Sequence, residues 1–482
     1  MTRNLMNRGV GLVVIGIALA VGALVWIGLA LSSPTLREAP DSRLLFGIWR
    51  IFYANQAPAV GVILAAIAIA LLAGAIVAIV EGVIATRYRR SLQPETLPLA
   101  PRPVMDDTRG VFHGEVTVTV LIPAHNEQER IADTLASLRA QQSPPERIIV
   151  VADNCTDRTV ELARAAGVEV IETVANQHKK AGGLNQALAR VLPDQGENDA
   201  VMIMDADTVL VPGYLAEAKR RMTADRALMA VGGLFFGEPG SGWIGQYQRN
   251  EFTRYSREIQ RRRGRVYVLT GTASVFRPRA LRTVAASRGS LLPGRSGDVY
   301  DTAALTEDNE LTIALKSLGA LMISPAECGV VTEVMPTYRA LWAQRLRWQR
   351  GALENIGAYG LTPQTFRYWA QQFGLGYGVV ALFSYFALMA LMLVSMDTFV
   401  WFPFWVLVGL LFSVERTVTA WRGGWRARLV AVLVFPELWY SAFLNTVFLK
   451  GICDIALGRK ATWQHVHRTD DGRVSVVGGD HS

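Results

Sequence analysis

Two kinds of hydrophobic pattern divide this chain. Near its ends, apolar residues run on almost without interruption, as GLVVIGIALAVGALVWIGLAL within 10–32 and PAVGVILAAIAIALLAGAIVAIV at 58–80. A helix needs ~20 apolar residues to cross a bilayer, so both runs predict membrane spans. Further runs at about 373–396, 398–414 and 429–450 predict roughly three more. The first run is longer than the ~7–15 residues of a leader's apolar core, and a second follows soon after, which favours an anchor over a cleaved leader. Between about 115 and 350 the pattern changes to short apolar stretches alternating with helical periodicity. VTVLI within 116–122, RIIVVA at 147–152, VEVIE and AVMIMDA at 200–206 read as strands. QERIADTLASLRAQ, TDRTVELARAAG and AGGLNQALARVL, which follow the first three, read as helices.

Such alternation predicts an α/β domain with a mostly parallel, Rossmann-like sheet covered on both faces. Ligands of such sheets sit at the carboxyl ends of the strands. The polar clusters His125, Asn126 and Glu127, then DNCTD at 153–157, then Asp205 and Asp207, all fall at those ends. The predicted organisation is two transmembrane helices over 1–90, a Pro-rich linker over 91–114 and the α/β domain over 115–335. Interfacial amphipathic helices follow over 336–372, then about three transmembrane helices over 373–455 and a tail over 456–482.

Composition and charge sharpen this picture. Hydrophobic residues make up 51% of the 482, a high share for a soluble enzyme and one concentrated at the two ends. The net charge of +8 owes much to juxtamembrane arginines. Arg87, Arg89 and Arg90 follow the second run, and Arg416, Arg422, Arg426 and Arg428 precede the last. Basic flanks stay in the cytosol, which predicts a multi-pass protein of the plasma or inner membrane with its central domain cytosolic. No basic stripe interleaved with aromatics is present, so nucleic acid is not an expected partner. Three scattered cysteines, Cys155, Cys328 and Cys453, indicate neither a disulfide framework nor a zinc site. No G-x-G-x-x-G opens the helix after the first strand, which disfavours a dinucleotide enzyme.

Candidate chemistry concentrates in six strings. Asp205 and Asp207, two residues apart at a strand end, can share a hard cation such as Mg²⁺ or Mn²⁺ and a ribose; the plain alternative is a solvated turn. Asp153 can recognise a base and ribose, and Asp157 either joins it or caps the next helix. In the TED string, Glu307 and Asp308 open a helix; a carboxylate there can act as general base, while Thr306 can cap. Lys180 sits where a helix N-terminus favours phosphate, or is a surface lysine. Gln344, Arg347 and Trp348 in QRLRW share one helix face, combining an amide, a guanidinium fork suited to diphosphate and an indole that can floor a sugar. The alternative for this string is an amphipathic helix at a membrane surface, which describes Trp342 well.

In order, PAHNE, DNCTD, KKAGGLN, DAD, TED and QRLRW resemble the motif series of glycosyltransferase family 2, specifically its membrane-embedded processive branch of cellulose, chitin, hyaluronan and poly-N-acetylglucosamine synthases. The resemblance covers about 116–350. It implies a GT-A fold and inversion at the anomeric carbon, with Asp308 as base beside Glu307 and Asp207 as metal ligand. It further implies that Asp153, Lys180, Asp205 and Arg347 hold the nucleotide-sugar. Gln344, Trp348, Gly271 and Thr272 would line the acceptor side. Expected partners are a UDP-sugar donor, a growing β-linked glycan or a membrane lipid as acceptor, and the bilayer; an oligomer is compatible with the sequence. One departure stands out, since the usual paired aspartates of the second motif are here Ala152 and Asp153. Every chemical position is filled, which disfavours a degenerate scaffold.

Overall fold

The computed structural model describes residues 41–45, 49–53, 68, 72, 76, 114–262, 264–395, 398–401, 410, 413–459, 464–468 and 474–478. The chain divides into two compact units, one of residues 1–89 with 381–416 and one of residues 90–380 with 417–482. In the first unit, strands Asp41–Leu45 and Trp49–Tyr53 pair antiparallel, and Thr398–Trp401 pairs parallel to the second of them. Residues 398–401, expected to open a membrane helix, are thus a strand. The runs at 10–32 and most of 58–80, with the linker over 91–113, lie outside the described residues.

The second unit is built on a seven-stranded sheet. Its strands are β1 (Thr117–Ala124), β2 (Arg147–Ala152), β3 (Glu169–Glu172), β4 (Asp199–Met204), β6 (Leu228–Gly232), β8 (Ala273–Phe276) and β9 (Leu321–Ile323). The order is β9-β6-β8-β4-β1-β2-β3, and only β8 runs against its neighbours. The four strands expected from the sequence are present and mutually parallel, in line with the mostly parallel sheet. Three short strands, β5 (Val209–Leu210), β7 (Leu234–Gly237) and β10 (Gly329–Thr332), form a second small sheet. Alternate faces of the main strands feed two separate apolar layers. Leu121, Ile149 and Val151 pack with Leu184 and Leu188 on one side, and Val118, Val120 and Ile122 pack with Ile131 and Leu135 on the other.

The helices in chain order are α1 (Ile131–Arg139), α2 (Thr159–Ala165), α3 (Lys179–Val191), α4 (Tyr214–Ala224), α5 (Gly242–Arg261), α6 (Pro278–Ser287), α7 (Glu307–Ser317), α8 (Tyr338–Tyr359), α9 (Phe366–Ser395), α10 (Gly424–Leu433) and α11 (Phe435–Ala456). The span expected at 429–450 is therefore two helices, α10 and α11, bent by 85° at their junction. Pro436 in the first turn of α11 explains the break, since proline cannot donate to a continuing helix. The adjacent Glu437 is buried and paired with Arg254 of α5, a contact that draws this turn onto the catalytic unit. Among the described residues no single helix is long and apolar enough to cross a membrane, and the bent pair passes only when its two parts are taken together.

Two polar anchors lock α7, the helix that carries Glu307 and Asp308. The Arg288 guanidinium meets Glu310 with a bidentate pair of hydrogen bonds, 2.8 and 2.7 Å, and both side chains are almost fully buried. Arg288 also donates to the carbonyls of Pro293, Asp298 and Val299, so the pair fixes the loop before α7 as well. At the other end, Lys316 Nζ donates to the carbonyls of Val266 and Tyr267 and to the hydroxyl of Tyr368 in α9. Removing one partner of a buried ion pair leaves the other charge uncompensated, at a cost of about 3–5 kcal/mol. Glu310→Gln is therefore expected to lower the unfolding free energy by roughly 3 kcal/mol or more, read as a fall in the urea midpoint of the detergent-solubilised chain.

Candidate active site

The strand order places β1 between β2 and β4, where the chain's path reverses direction across the sheet. A crevice opens at such a switch point, outside the carboxyl ends of the strands. The segments that leave β1, β2 and β4 there carry Glu127, Asp153 and Asp205 respectively.

Asp153 is buried and held from several sides. Its Oδ1 accepts from Thr173 Oγ1 and Asn176 Nδ2, both at 2.8 Å, and its carbonyl lies 2.6 Å from His125 Nδ1. Asp157 resolves the other way. Its Oδ1 accepts from the backbone N–H of Thr159, the first residue of α2, and its Oδ2 from that of Gln128, so it ties two loops together and starts a helix. Those bonds hold its carboxyl below the usual range, although burial works in the opposite direction.

Lys180, in the first turn of α3, is the point where the other motifs meet. Its Nζ lies 2.6 Å from Asp205 Oδ1 and 3.0 Å from Glu307 Oε1. Burial disfavours the ammonium, yet Asp205 and Glu307 more than offset it and hold the lysine well above its ordinary pKa. The surface-lysine alternative is therefore set aside. Two glycines make room for this approach. A Cβ on Gly182 would come within 2.1 Å of Asn176 Oδ1, and one on Gly271 within 2.9 Å of Lys180 Nζ. Asn176 also accepts from His178 N and donates to the carbonyl of Lys179, shaping the turn into α3.

Asp308 sits beside this lysine. Its Oδ2 accepts from Gly271 N at 3.1 Å and its Oδ1 from Asn309 N at 2.8 Å. Burial and then the Glu307 charge push its carboxyl up, against the pull of Lys180. Glu307 moves the other way, because Lys180 and Arg347 outweigh its burial. Thr306 stands at the helix start but does not cap it by side chain. Its hydroxyl and carbonyl instead accept from Asn355 of α8 at 3.1 Å each. Thr272 joins through its carbonyl, which accepts from Asp205 N at 3.2 Å.

Helix α8 crosses the start of α7 at close range. A Cβ on Gly351 would come within 2.5 Å of Thr306 Oγ1, so only glycine permits this crossing. The contact brings Arg347 near enough to act on both Glu307 and Lys179. The Trp348 ring lies under the guanidinium of Arg345, 4.4 Å from its centroid. Gln344 Oε1 is a buried oxygen with no hydrogen-bond partner among the described residues, an acceptor open to a hydroxyl. Lys180 of α3, Asp205 after β4, Gly271 and Thr272 before β8, and Glu307 and Asp308 of α7 are thus drawn together, with Arg347 of α8 near Glu307, whereas Gln344 and Trp348 make no described contact with them.

The remaining acids suit a divalent cation. Glu127 is pushed up to about 8 by burial and by the charges of Asp207 and Asp205. Asp207 is raised by burial and then by Glu333. Carboxylates that resist ionising beside one another are short of positive charge, and oxygen donors are what Mg²⁺ and Mn²⁺ prefer. Among the described residues no three acidic, histidine or cysteine groups could hold an ion by themselves. Glu127, Asn176, Asn355 and Arg345 were not singled out as site residues by sequence reasoning. Glu127 and Arg345 lie inside quoted strings, and their roles depend on neighbours distant in sequence.

Comparison with known proteins fits this arrangement. Residues 119–285 match the family model described as glycosyl transferase family 2. Poly-beta-1,6-N-acetyl-D-glucosamine synthase of Staphylococcus aureus (strain COL) is 28% identical over 250 residues, covering 50% of this chain and 55% of that protein. The enzyme of the same name from Staphylococcus epidermidis is 26% identical over 251 residues, with the same shares covered. The chain thus matches about half the length of these curated relatives. Among solved structures, a mannosyltransferase from Pyrobaculum calidifontis in complex with GDP-Man and Mn²⁺ superposes with a TM-score of 0.49 at 18% identity, covering 72% of this chain and 89% of that one. Glucosyl-3-phosphoglycerate synthase from Mycobacterium tuberculosis, solved with Mn²⁺ and UDP, gives 0.33 at 18% identity, covering 50% and 80%. The matched segment carries part of the crevice, from Glu127 through Asp153, Lys180 and Asp205 to Gly271: residues 119–285 match a glycosyltransferase family 2 domain.

Proposed function

We propose that this enzyme transfers sugar from a UDP-sugar, with inversion, to a growing β-linked glycan. The observation that carries the reading is the Lys180 ammonium shared between Asp205 and Glu307, with Asp308 held alongside by Gly271 N–H. In one displacement the acceptor hydroxyl oxygen attacks the anomeric carbon while Asp308 takes its proton. The bond from that carbon to the diphosphate oxygen breaks, and UDP leaves. Asp153 seats the nucleoside, Asp205 and Lys180 hold the donor, and Arg347 faces the diphosphate. Gln344, Trp348, Gly271 and Thr272 line the acceptor side. Asp207, with Glu127 nearby, would hold Mg²⁺ or Mn²⁺, which supplies positive charge to the leaving diphosphate. Similarity to the staphylococcal synthases favours UDP-N-acetylglucosamine as donor and a polymer as product.

A membrane setting is supported by the surface of α10, α11 and the short 3-10 turn Trp421–Gly423 before them. Trp421, Trp425, Leu429, Leu433, Phe435 and Trp439 are exposed there, beside Arg422, Arg426 and Arg428. Tryptophan, aliphatic and arginine side chains together suit the boundary between headgroups and acyl chains. Exposed Phe373, Tyr377 and Val380 on α9, the helix after α8, favour a second reading in which a membrane lipid accepts a single sugar.

The two readings separate in one assay. Full-length enzyme in lipid nanodiscs, given radiolabelled UDP-N-acetylglucosamine or UDP-glucose with Mn²⁺, is expected to yield water-soluble or insoluble polymer. Label that moves only into the organic phase as a single addition would remove the polymerase reading. Asp308→Asn is expected to lower kcat by roughly 10²–10⁴-fold, the usual cost of losing a general base. Unchanged turnover would withdraw Asp308 from that role. Because burial raises the Asp308 carboxyl, the base becomes protonated as pH falls through a value above ~3.9, the ordinary aspartate pKa. The kcat/KM profile should therefore lose its acid limb at a pH higher than an unperturbed aspartate would give. Gly271→Val is expected to displace Lys180 and to reduce kcat by roughly tenfold or more, since ångström-scale misplacement at a reacting centre is costly. Its circular dichroism should match the parent.

A further inference from the structure

Behind the indole of Trp348 lies a polar chain that joins three helices. Arg345 is one turn before Trp348 on α8, and its side chain is only 4% exposed. Its guanidinium covers one side of the indole at 4.4 Å from the centroid and approaches the Phe252 ring of α5 at 5.6 Å. Nη2 donates to Glu251 Oε2 of α5 at 3.0 Å. The hydroxyl of Tyr440, from α11, donates to the same Oε2 at 2.6 Å. Tyr440 is itself buried and stacks on Tyr247 of α5, with centroids 5.3 Å apart and ring planes 20° apart.

Each link has a physical reason. A guanidinium withdrawn from water needs a carboxylate, and Glu251 supplies it. A planar guanidinium can lie over an indole face and attract it, which an ammonium on a flexible stem does poorly. The indole plane is thereby set from α5 and α11 as well as from its own helix. With one side occupied by Arg345, only the opposite face or the edge of Trp348 is left for a sugar. Tyr440 belongs to the helix whose outer side carries Trp439 and Phe435, both exposed.

We propose that Arg345, held by Glu251 and Tyr440, is a positioning residue for the acceptor, fixing the plane of Trp348 and coupling it to the position of α11. The proposal rests on the acceptor-side reading of Trp348. It assigns the arginine a task separate from that of Arg347, which faces Glu307 and Lys179. It also makes acceptor seating sensitive to whatever moves α11, donor binding excepted.

Two measurements test it. In the full chain labelled with 5-fluorotryptophan, the Trp348 resonance is assigned through Trp348→Phe. Arg345→Met, Glu251→Gln and Tyr440→Phe should each shift or broaden that resonance, although Tyr440 lies on another helix. A Trp348 signal unmoved in all three variants would overturn the proposal without reference to any substrate. The second measurement uses UDP-N-acetylglucosamine with a β-1,6-linked N-acetylglucosamine tetramer. Arg345→Met should raise the tetramer KM roughly tenfold, the scale of a desolvated cation–π contact, and leave the donor KM within about twofold. In a Trp348→Ala background the same change should add less than about twofold, because a residue acting through the indole has nothing left to position. Additive losses, or equal losses in donor and acceptor KM, would show a merely structural role and overturn the proposal. Should Trp348→Ala leave the tetramer KM unchanged, the acceptor reading of Trp348 fails, while the fluorine signal still decides whether Arg345 holds the indole.

Discussion

One partly buried cation keeps this site together. Lys180 lies within hydrogen-bonding reach of Asp205, from the end of β4, and of Glu307, from the start of α7. Charges in a partly dry crevice are costly alone and strongly coupled when paired. Without that ammonium, Asp205, Asp207, Glu307 and Asp308 would crowd one another, with Arg347 acting on Glu307 and Arg130 on Asp207. With it, Glu307 is held ionised, while Asp308, beside it, is left with a carboxyl raised by burial. Two neighbouring acids with pKa values pushed apart are what separates a structural carboxylate from one poised to take a proton.

The fold serves that contact at several removes. The sheet brings the ends of β1, β2 and β4 to one crevice, Gly182 lets Asn176 close on the start of α3, and Gly271 lets the segment before β8 approach Lys180 without a Cβ between them. The buried Arg288–Glu310 pair and the Lys316 anchor fix α7 from both ends. Gly351 and Asn355 then bring α8 against Thr306, and Arg347 of α8 comes near enough to act on Glu307. Helix α8 is therefore tied to the start of α7 by direct packing between the two helices.

Much of this was legible in the sequence, for identifiable reasons. The strands now seen at Thr117–Ala124, Arg147–Ala152, Glu169–Glu172 and Asp199–Met204 are fully apolar or alternating runs bounded by polar clusters, so both their type and their catalytic ends could be read. The antiparallel β8 and the small sheet of β5, β7 and β10 were not legible, since strands of two to four residues carry no periodicity of their own and these lie outside the strand–helix alternation that revealed β3. Hydroxyl and amide roles were legible only as alternatives. Thr306 was a candidate helix cap and instead accepts from Asn355, a partner 49 residues away. Asp157 stood between ligand and cap and turned out to order a helix start. The apolar run at 429–450 read as one span because hydropathy ignores backbone geometry, and Pro436 with the buried Glu437 bends it. Arg345 was not singled out, because its surroundings depend on Glu251 and Tyr440, which are distant in sequence.

Calorimetric titration of UDP into the full-length chain and into Lys180→Met, each with and without Mn²⁺, probes the Lys180-centred site before any sugar is transferred. A site built on that ammonium and on cation-seeking carboxylates predicts that UDP binds the parent only with Mn²⁺. It also predicts an affinity lower by roughly tenfold or more in the variant, the scale of one lost charge-assisted hydrogen bond. Equal UDP affinity in both chains, independent of Mn²⁺, would contradict it.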